Sequence, residues 1–311
     1  MSALPFTGER FTPECVREMW YEHWHRYAFA LPVLAGKRVL DCACGEGYGS
    51  AMLATRAAEV DGVDLSAEAI LHAKARYGAA PNLRFHQGNA LELPFADHQF
   101  DAVVSFETLE HLVEQEQLLA GFRRVLKPDG FLLISSPDKR VYSDLTGYQN
   151  EFHLKELYRD ELIDLLQRFF PATRVFGQKL MFQSTIVAED GHFERATVAF
   201  GEAGSSAVTE AFALDPVYFI VACAARADAL PALPGLHGFS DQSESVYRHY
   251  EHEIRKNMQA GQMLIDRDER IAKLEAELDV TKRALADAAN ATASVSGNTP
   301  AALPFWRRWF R

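Results

Sequence analysis

A chain of 311 residues, 48% hydrophobic and 24% charged, has the composition of a globular protein and the length for one large domain with extensions. Its formal net charge of −11, from 32 basic and 43 acidic residues, argues against a broad nucleic-acid-binding surface. No stretch approaches the ~20 apolar residues of a membrane span. The first residues have neither the basic start nor the apolar run of a secretory leader, so a cytoplasmic location is expected. The four cysteines, Cys15, Cys42, Cys44 and Cys223, form no Cys-x-x-Cys or zinc pattern and read as reduced packing residues.

In chain order, residues 13–33 read as a helix, with Thr12 as cap, Pro13 in the first turn and Pro32 at the end. Its middle, Met19 to Tyr27, is rich in aromatics and histidine. Strands and helices then alternate. Strands are expected at Arg38–Cys42, Glu59–Asp64, Leu83–Gln87, Phe100–Phe106 and Gly130–Ser136, and helices at 48–56, 66–77, 109–126 and 153–169. Two more strands are expected near Thr173–Gln178 and Val217–Ala224, with a Gly/Ser/Ala-rich hairpin or insertion between them at 186–214. This rhythm predicts a doubly wound α/β fold: a mostly parallel, seven-stranded Rossmann-like sheet with an N-terminal helix and a C-terminal helical extension.

The expected domains are an N-terminal helical lid at 1–35, the α/β domain at 36–225 and a linker at 226–242 containing Pro231 and Pro234. A proline-free helix follows at 243–289. There Leu264, Ile271, Leu278 and Leu285 recur every seven residues, with Leu274, Thr281 and Ala288 in the second seam. This is a candidate coiled coil and homo-oligomer contact, or else an amphipathic helix lying on its own domain. Residues 290–311 read as a disordered tail, rich in Ala, Ser, Asn, Thr and Pro up to 304. Its aromatic-arginine end, 303–311, suits a lipid interface at the inner membrane or packing on protein.

The stretch from Val39 to Gly49 carries the most chemical information. Two apolar residues run into Asp41, then into a turn with Gly45, Gly47 and Gly49. Such a turn lets a buried strand feed a helix while backbone approaches a ligand. The next strand ends at Asp64, 19 residues after Gly45, near the ~20-residue offset at which a carboxylate reaches a bound ribose. Asp41 and Glu46 would repel phosphate and suit a ligand bearing ammonium or sulfonium.

Residues 36–225 resemble the class I S-adenosylmethionine-dependent methyltransferases, whose first motif runs Leu-Asp-x-Gly-x-Gly-x-Gly; here Ala43 stands for the first glycine. The resemblance implies S-adenosylmethionine as cofactor. It implies cofactor contacts from Asp41, Ala43, Gly45 and Gly47, with Asp64 on the ribose diol, Leu65 or Leu91 against the adenine, and Asn89 with Ala90 near the adenine amine. Ser105, at the end of the fourth strand, joins this set, and Arg26 is a candidate partner of the cofactor carboxylate.

The fourth strand runs into Glu107-Thr108-Leu109-Glu110-His111. If a helix starts there, Glu107, Glu110 and His111 share one face. His111 is a candidate general base toward an acceptor hydroxyl, with His153 as a second candidate. Glu107, Glu110 and His111 are alternatively a candidate divalent-metal set, as a similar segment is in quinone-type O-methyltransferases. A purely structural role also stays open. Phe6 to Glu14, the aromatic helix and Asn150-Glu151-Phe152-His153 resemble methyltransferases of bacterial surface-polysaccharide clusters. That implies a saccharide acceptor, other small molecules such as quinols being the alternative, and a non-catalytic cofactor-binding scaffold the alternative from another class.

Overall fold

Five segments with buried apolar residues form parallel strands β1 (Arg38–Cys42), β2 (Glu59–Asp64), β3 (Leu83–Gln87), β4 (Phe100–Ser105) and β5 (Leu126–Pro137). With β6 (Ala172–Gln178) and β7 (Tyr218–Ala224) they make one seven-stranded sheet of order β3-β2-β1-β4-β5-β7-β6. β7 lies antiparallel between β5 and β6 and the other pairings in the sheet are parallel. The computed structural model describes residues 18–181, 186, 198–201, 208–209 and 215–296. Thr12, Pro13, Cys15, the segment from Phe6 to Glu14 and the aromatic-arginine end lie outside them. So does most of 186–214, where Phe200–Gly201 pairs with Val208–Thr209.

Alternate strand residues face opposite layers, as a period of two demands. Val39, Ala102, Val104, Leu133 and Ala222 point into a core shared with helices α1 (Glu18–Ala30), α2 (Tyr48–Ala54) and α3 (Ala67–Tyr77). Leu40, Val103, Leu132, Ile134 and Val221 point into the other, shared with α4 (Gln115–Val125) and α5 (Arg159–Gln167). Each fully buried Leu or Phe contributes roughly 1.5–3 kcal/mol; removing Phe122, at 0% exposure, would open the second core. Cys42, Cys44 and Cys223 are buried free thiols whose pKa burial raises further, so they pack rather than react.

Four expectations are corrected. The helix expected at 109–126 is broken: a single 3-10 turn, Leu109–His111, precedes α4, because Leu112 turns extended. The helix expected at 153–169 starts only at Arg159, where Glu161 accepts from the Tyr158 N–H. Residues 226–242 are no free linker. Leu233 is buried and its carbonyl accepts from Arg174, while Phe239 and His237 stack on Trp20, His25 and Phe29 of α1. The chain divides after Ser243. The second unit contains α6 (Ser245–Ser296), a 52-residue helix that runs on through 290–296, where a disordered tail was expected; Leu264, Ile271, Leu278 and Leu285 are among its exposed side chains.

Candidate functional site

Strand order reverses between β1 and β4, and at such a point the carboxyl ends of parallel strands open a crevice. The β1–α2 turn enters it through Ala43, Gly45 and Gly47, all at positive φ (61°, 56° and 94°). Only glycine holds that conformation without strain, so Ala43 is strained. From the end of β2, Asp64 accepts the Gly45 N–H on Oδ2 at 2.9 Å and the Ser66 N–H on Oδ1 at 2.8 Å. A carboxylate has about four lone-pair sites, so two stay available for a vicinal diol. Leu65, next in sequence, is 70% exposed and offers a flat apolar surface beside that carboxylate.

The close backbone approach at the other glycines is taken up by protein. A Cβ on Gly49 would sit 2.0 Å from the Tyr27 ring, and one on Gly47 would lie 2.8 Å from Ala73 and Phe85. Gly47 and Gly49 therefore let α1, α3 and β3 close on the turn. Glu46 is buried and faces α3: Tyr77 donates to it at 3.0 Å, and His72 and Arg76 pair with it at 3.0 and 3.6 Å. It braces the turn rather than lining it.

Asp41 is fully buried. Ser50 donates to its Oδ2 at 2.6 Å and Tyr27 to its Oδ1 at 3.2 Å. Burial nevertheless raises its pKa to about 7, the two hydrogen bonds opposing and the Asp64 charge adding to the shift. A buried carboxyl poised there becomes the negative partner of a cation placed beside it. Asn89 accepts the Leu91 N–H on Oδ1 at 2.9 Å and caps the short turn Ala90–Glu92; its amide N–H groups and second lone pair stay exposed. These features fit a nucleoside with a diol and a positively charged tail.

Polar groups at the ends of β4, β5 and β7 are less well matched. Glu107 follows β4 at φ 52°; Ser135 Oγ accepts its N–H at 3.0 Å and donates to its carboxylate at 2.6 Å. Arg26 of α1, 1% exposed, donates Nε–H to Gln178 at 2.8 Å, lies 4.4 Å above the Tyr218 ring, and brings Nη2 to 3.6 Å from Glu107. Neither Nη1 nor Nη2 makes a hydrogen bond among the described residues, and the same is true of the buried Ser105 and Ser136 hydroxyls. Arg26 thus faces Glu107 and Tyr218.

The left-handed turn at Glu107 removes it from the face shared by Glu110 and His111. The described ligand set is Glu110, His111 and His153, one candidate ligand atom of each lying within 4.8 Å of the others. His111 Nδ1 lies 2.9 Å from the Phe152 carbonyl, which assigns the ring proton to Nδ1 and the lone pair to Nε2. His153 Nδ1 lies 2.5 Å from Glu156 and its Nε2 2.9 Å from the Asn150 amide. The two rings meet edge to face, centroids 5.0 Å apart. The Glu110 carboxyl is buried with no hydrogen-bond partner on another of the described residues, while its backbone carbonyl accepts from the Leu154 and Lys155 N–H groups; burial, then the Glu107 charge, pushes its pKa well up, which favours the neutral acid.

Ser135, Gln178, Tyr218 and Glu156 were not singled out by the sequence. The paired hydroxyls Ser135-Ser136 ending an apolar strand were the one visible signal.

Residues 40–134 match a family described as "Methyltransferase domain". A "Probable S-adenosylmethionine-dependent methyltransferase" of Mycolicibacterium smegmatis is 38% identical over 169 residues, 53% of this chain and 65% of that protein. A "Fatty-acid O-methyltransferase" of the same organism is 38% identical over 116 residues, 37% of this chain and 41% of that protein. A "Ubiquinone biosynthesis O-methyltransferase" of Azorhizobium caulinodans is 32% identical over 129 residues, 41% of this chain and 51% of that protein. The chain spans less than two thirds of the length of these curated relatives. The matches support a class I S-adenosylmethionine-dependent methyltransferase, with S-adenosylmethionine as its cofactor.

Proposed function

We propose that this methyltransferase domain O-methylates a hydroxyl of a small acceptor, a saccharide of bacterial surface-polysaccharide assembly in the first instance. The observation that carries methyl transfer is the Asp64 carboxylate at the end of β2. It is fixed by the Gly45 and Ser66 N–H groups, with capacity left for a diol, beside a left-handed glycine turn.

S-adenosylmethionine supplies, when bound, a methyl group activated on a sulfonium. Asp41, Gly45, Asp64, Leu65, Asn89 and Ser105 hold it in this reading, and alignment of donor and acceptor is the protein's main contribution. His111, its Nδ1–H held by the Phe152 carbonyl, takes the acceptor proton on Nε2. Carboxylate, guanidinium and phenol groups of Glu107, Arg26, Tyr142 and Tyr218 cluster nearby. That mixture of hydrogen-bonding groups and ring faces suits a polyhydroxylated acceptor better than an alkyl chain.

One observation favours a second reading of the same corner. The buried Glu110 carboxyl, His111 and His153 lie together, with Glu156 and the Phe152 carbonyl holding the outer imidazole nitrogens. Those three residues would then hold a divalent cation that polarises the acceptor oxygen, His153 Nε2 exchanging its Asn150 contact for the ion.

The test is incubation with methyl-labelled cofactor and a panel of nucleotide sugars, lipid-linked glycans, quinols and fatty acids, with and without a chelator. Label on a glycan hydroxyl, insensitive to chelator, is expected. Label on a quinol, or loss on chelation with rescue by a divalent ion, moves the reading to the alternatives. Tight cofactor binding without transfer to any acceptor favours a scaffold. Residues 303–311 are proposed to contact the inner-membrane surface from the cytoplasmic side; no helix of the described residues is long and apolar enough to cross a membrane.

A further inference from the structure

The strongest feature the methyltransferase reading does not use is the exposed face of α6. Leu264, Ile271, Leu278 and Leu285 follow one another at intervals of seven, with Leu274 between them; they are 44% to 72% exposed. Isolated apolar side chains on a surface need no explanation. A stripe in step with the 3.5-residue repeat of a supercoil does.

With those four at the first core position of each heptad, Arg267, Leu274, Thr281 and Ala288 occupy the second. The flanking positions then decide the partner. In a parallel, in-register pair each flanking residue meets the one five places on in the other helix. Arg270 meets Glu275 and Glu277 meets Lys282, each pair twice by symmetry. Every one of these contacts is attractive. In the antiparallel pairing that overlaps the same core, Glu275 meets Glu275 and Glu277 meets Glu277, both repulsive, while Asp268 meets Lys282 twice; the parallel pair has four attractions and no repulsion, and is favoured. None of Arg270, Glu275, Glu277 and Lys282 is paired with another charge within its own helix among the described ion pairs; those of α6 lie at Glu251 to Arg255, Glu253 to Lys256 and Arg267 to Asp268.

We infer that residues 264–288 of α6 pair with the same segment of a second copy of this chain, as a parallel, in-register two-stranded coiled coil. The seam is short, about three heptads, and Arg267 weakens its N-terminal end. The pairing is therefore expected to be reversible at micromolar concentrations. The inference concerns the second unit alone and stands whether or not the acceptor assignment does.

Sedimentation velocity on the full chain, from roughly 1 to 100 µM, provides the test. A monomer–dimer equilibrium is expected. Ile271→Asp with Leu278→Asp should leave a monomer whose circular dichroism and cofactor affinity match the parent, which separates lost pairing from misfolding. Glu275→Arg should weaken the dimer roughly tenfold by turning two attractions into repulsions, and adding Arg270→Glu should restore it. A monomer throughout, or a dimer indifferent to the aspartates, overturns the coiled coil. Failure of the charge swap to restore association overturns the parallel register.

Discussion

The two halves of the crevice treat their buried polar groups differently. On the β1–β2 side the buried carboxylates are braced by several side chains: Asp41 accepts from Tyr27 and Ser50, and Glu46 accepts from Tyr77 on Oε1 and forms ion pairs with His72 and Arg76 at Oε2. On the β4–β5 side the Ser105 and Ser136 hydroxyls, the Glu110 carboxyl and the Arg26 Nη groups lack hydrogen-bond partners among the described residues. An unmatched buried polar group costs about 1–3 kcal/mol, and native structures keep few of them. The first half is a finished cradle. The second carries hydrogen-bonding capacity that the described residues do not use, available in the proposed reading to the cofactor at Ser105 and to an acceptor elsewhere.

The sharpest way to break this contrast is His111→Ala. If the β4–β5 side does the chemistry, turnover should fall by roughly 10²–10⁴, the usual contribution of a positioned base. Cofactor affinity, set on the other side, should stay put. Steady-state kinetics and calorimetry read the two effects separately. Near-normal turnover would make the unmatched corner structural and shift the base to His153.

Asp64→Ala attacks the finished half. Removing a charged acceptor of two ligand hydroxyls should weaken cofactor binding by roughly 1.5–3 kcal/mol, about 10- to 150-fold. The Gly45 and Ser66 N–H groups also lose their acceptor, so thermal unfolding must accompany the calorimetry. Unchanged affinity in a folded variant would remove the ribose assignment.

Asp41 sharpens the contrast through pH. Its carboxyl is raised to about 7 by burial, so the folded protein keeps a proton there that the unfolded chain has already released. The stability it contributes is complete below the unfolded value of about 3.9. It is lost as pH rises through about 7. A cationic ligand prefers the ionised form. Cofactor affinity should therefore climb with pH toward 7, by up to about tenfold per unit, with proton release on binding. Calorimetry in buffers of different ionisation enthalpy measures the release, and Asp41→Asn should abolish it. A pH-independent affinity would mean that Asp41 does not sense the ligand's charge.

The sheet was legible because burial on both faces leaves near-continuous apolar runs. β1, β2 and β3 start and end where the pattern placed them. The cradle was legible because its glycines and Asp64 lie in two short segments. The acceptor side was not. Glu107 leaves the helical path because it bonds Ser135, 28 residues away, and His111 is oriented by a carbonyl 41 residues on. No local pattern carries such contacts. The misread segment at 226–242 has the same cause: its prolines signalled a linker, while Leu233 and Phe239 find their partners on β6 and α1 only after folding.

The smallest expected effect tests how finished the cradle is. Ala43 stands at φ 61°, a conformation that costs a residue with a Cβ roughly 1–2 kcal/mol. Ala43→Gly removes that strain but adds about 0.5–1 kcal/mol of backbone entropy to be lost on folding. The net gain should be about 0.5–1 kcal/mol, visible as a small rise in melting temperature. Cofactor affinity should change little, because Gly45 and Asp64 hold the turn from outside. If the variant is instead less stable, the Ala43 methyl contributes packing that outweighs its strain. If affinity rises several-fold while stability does not, the strain is relieved on binding, and the β1–β2 side also awaits its ligand.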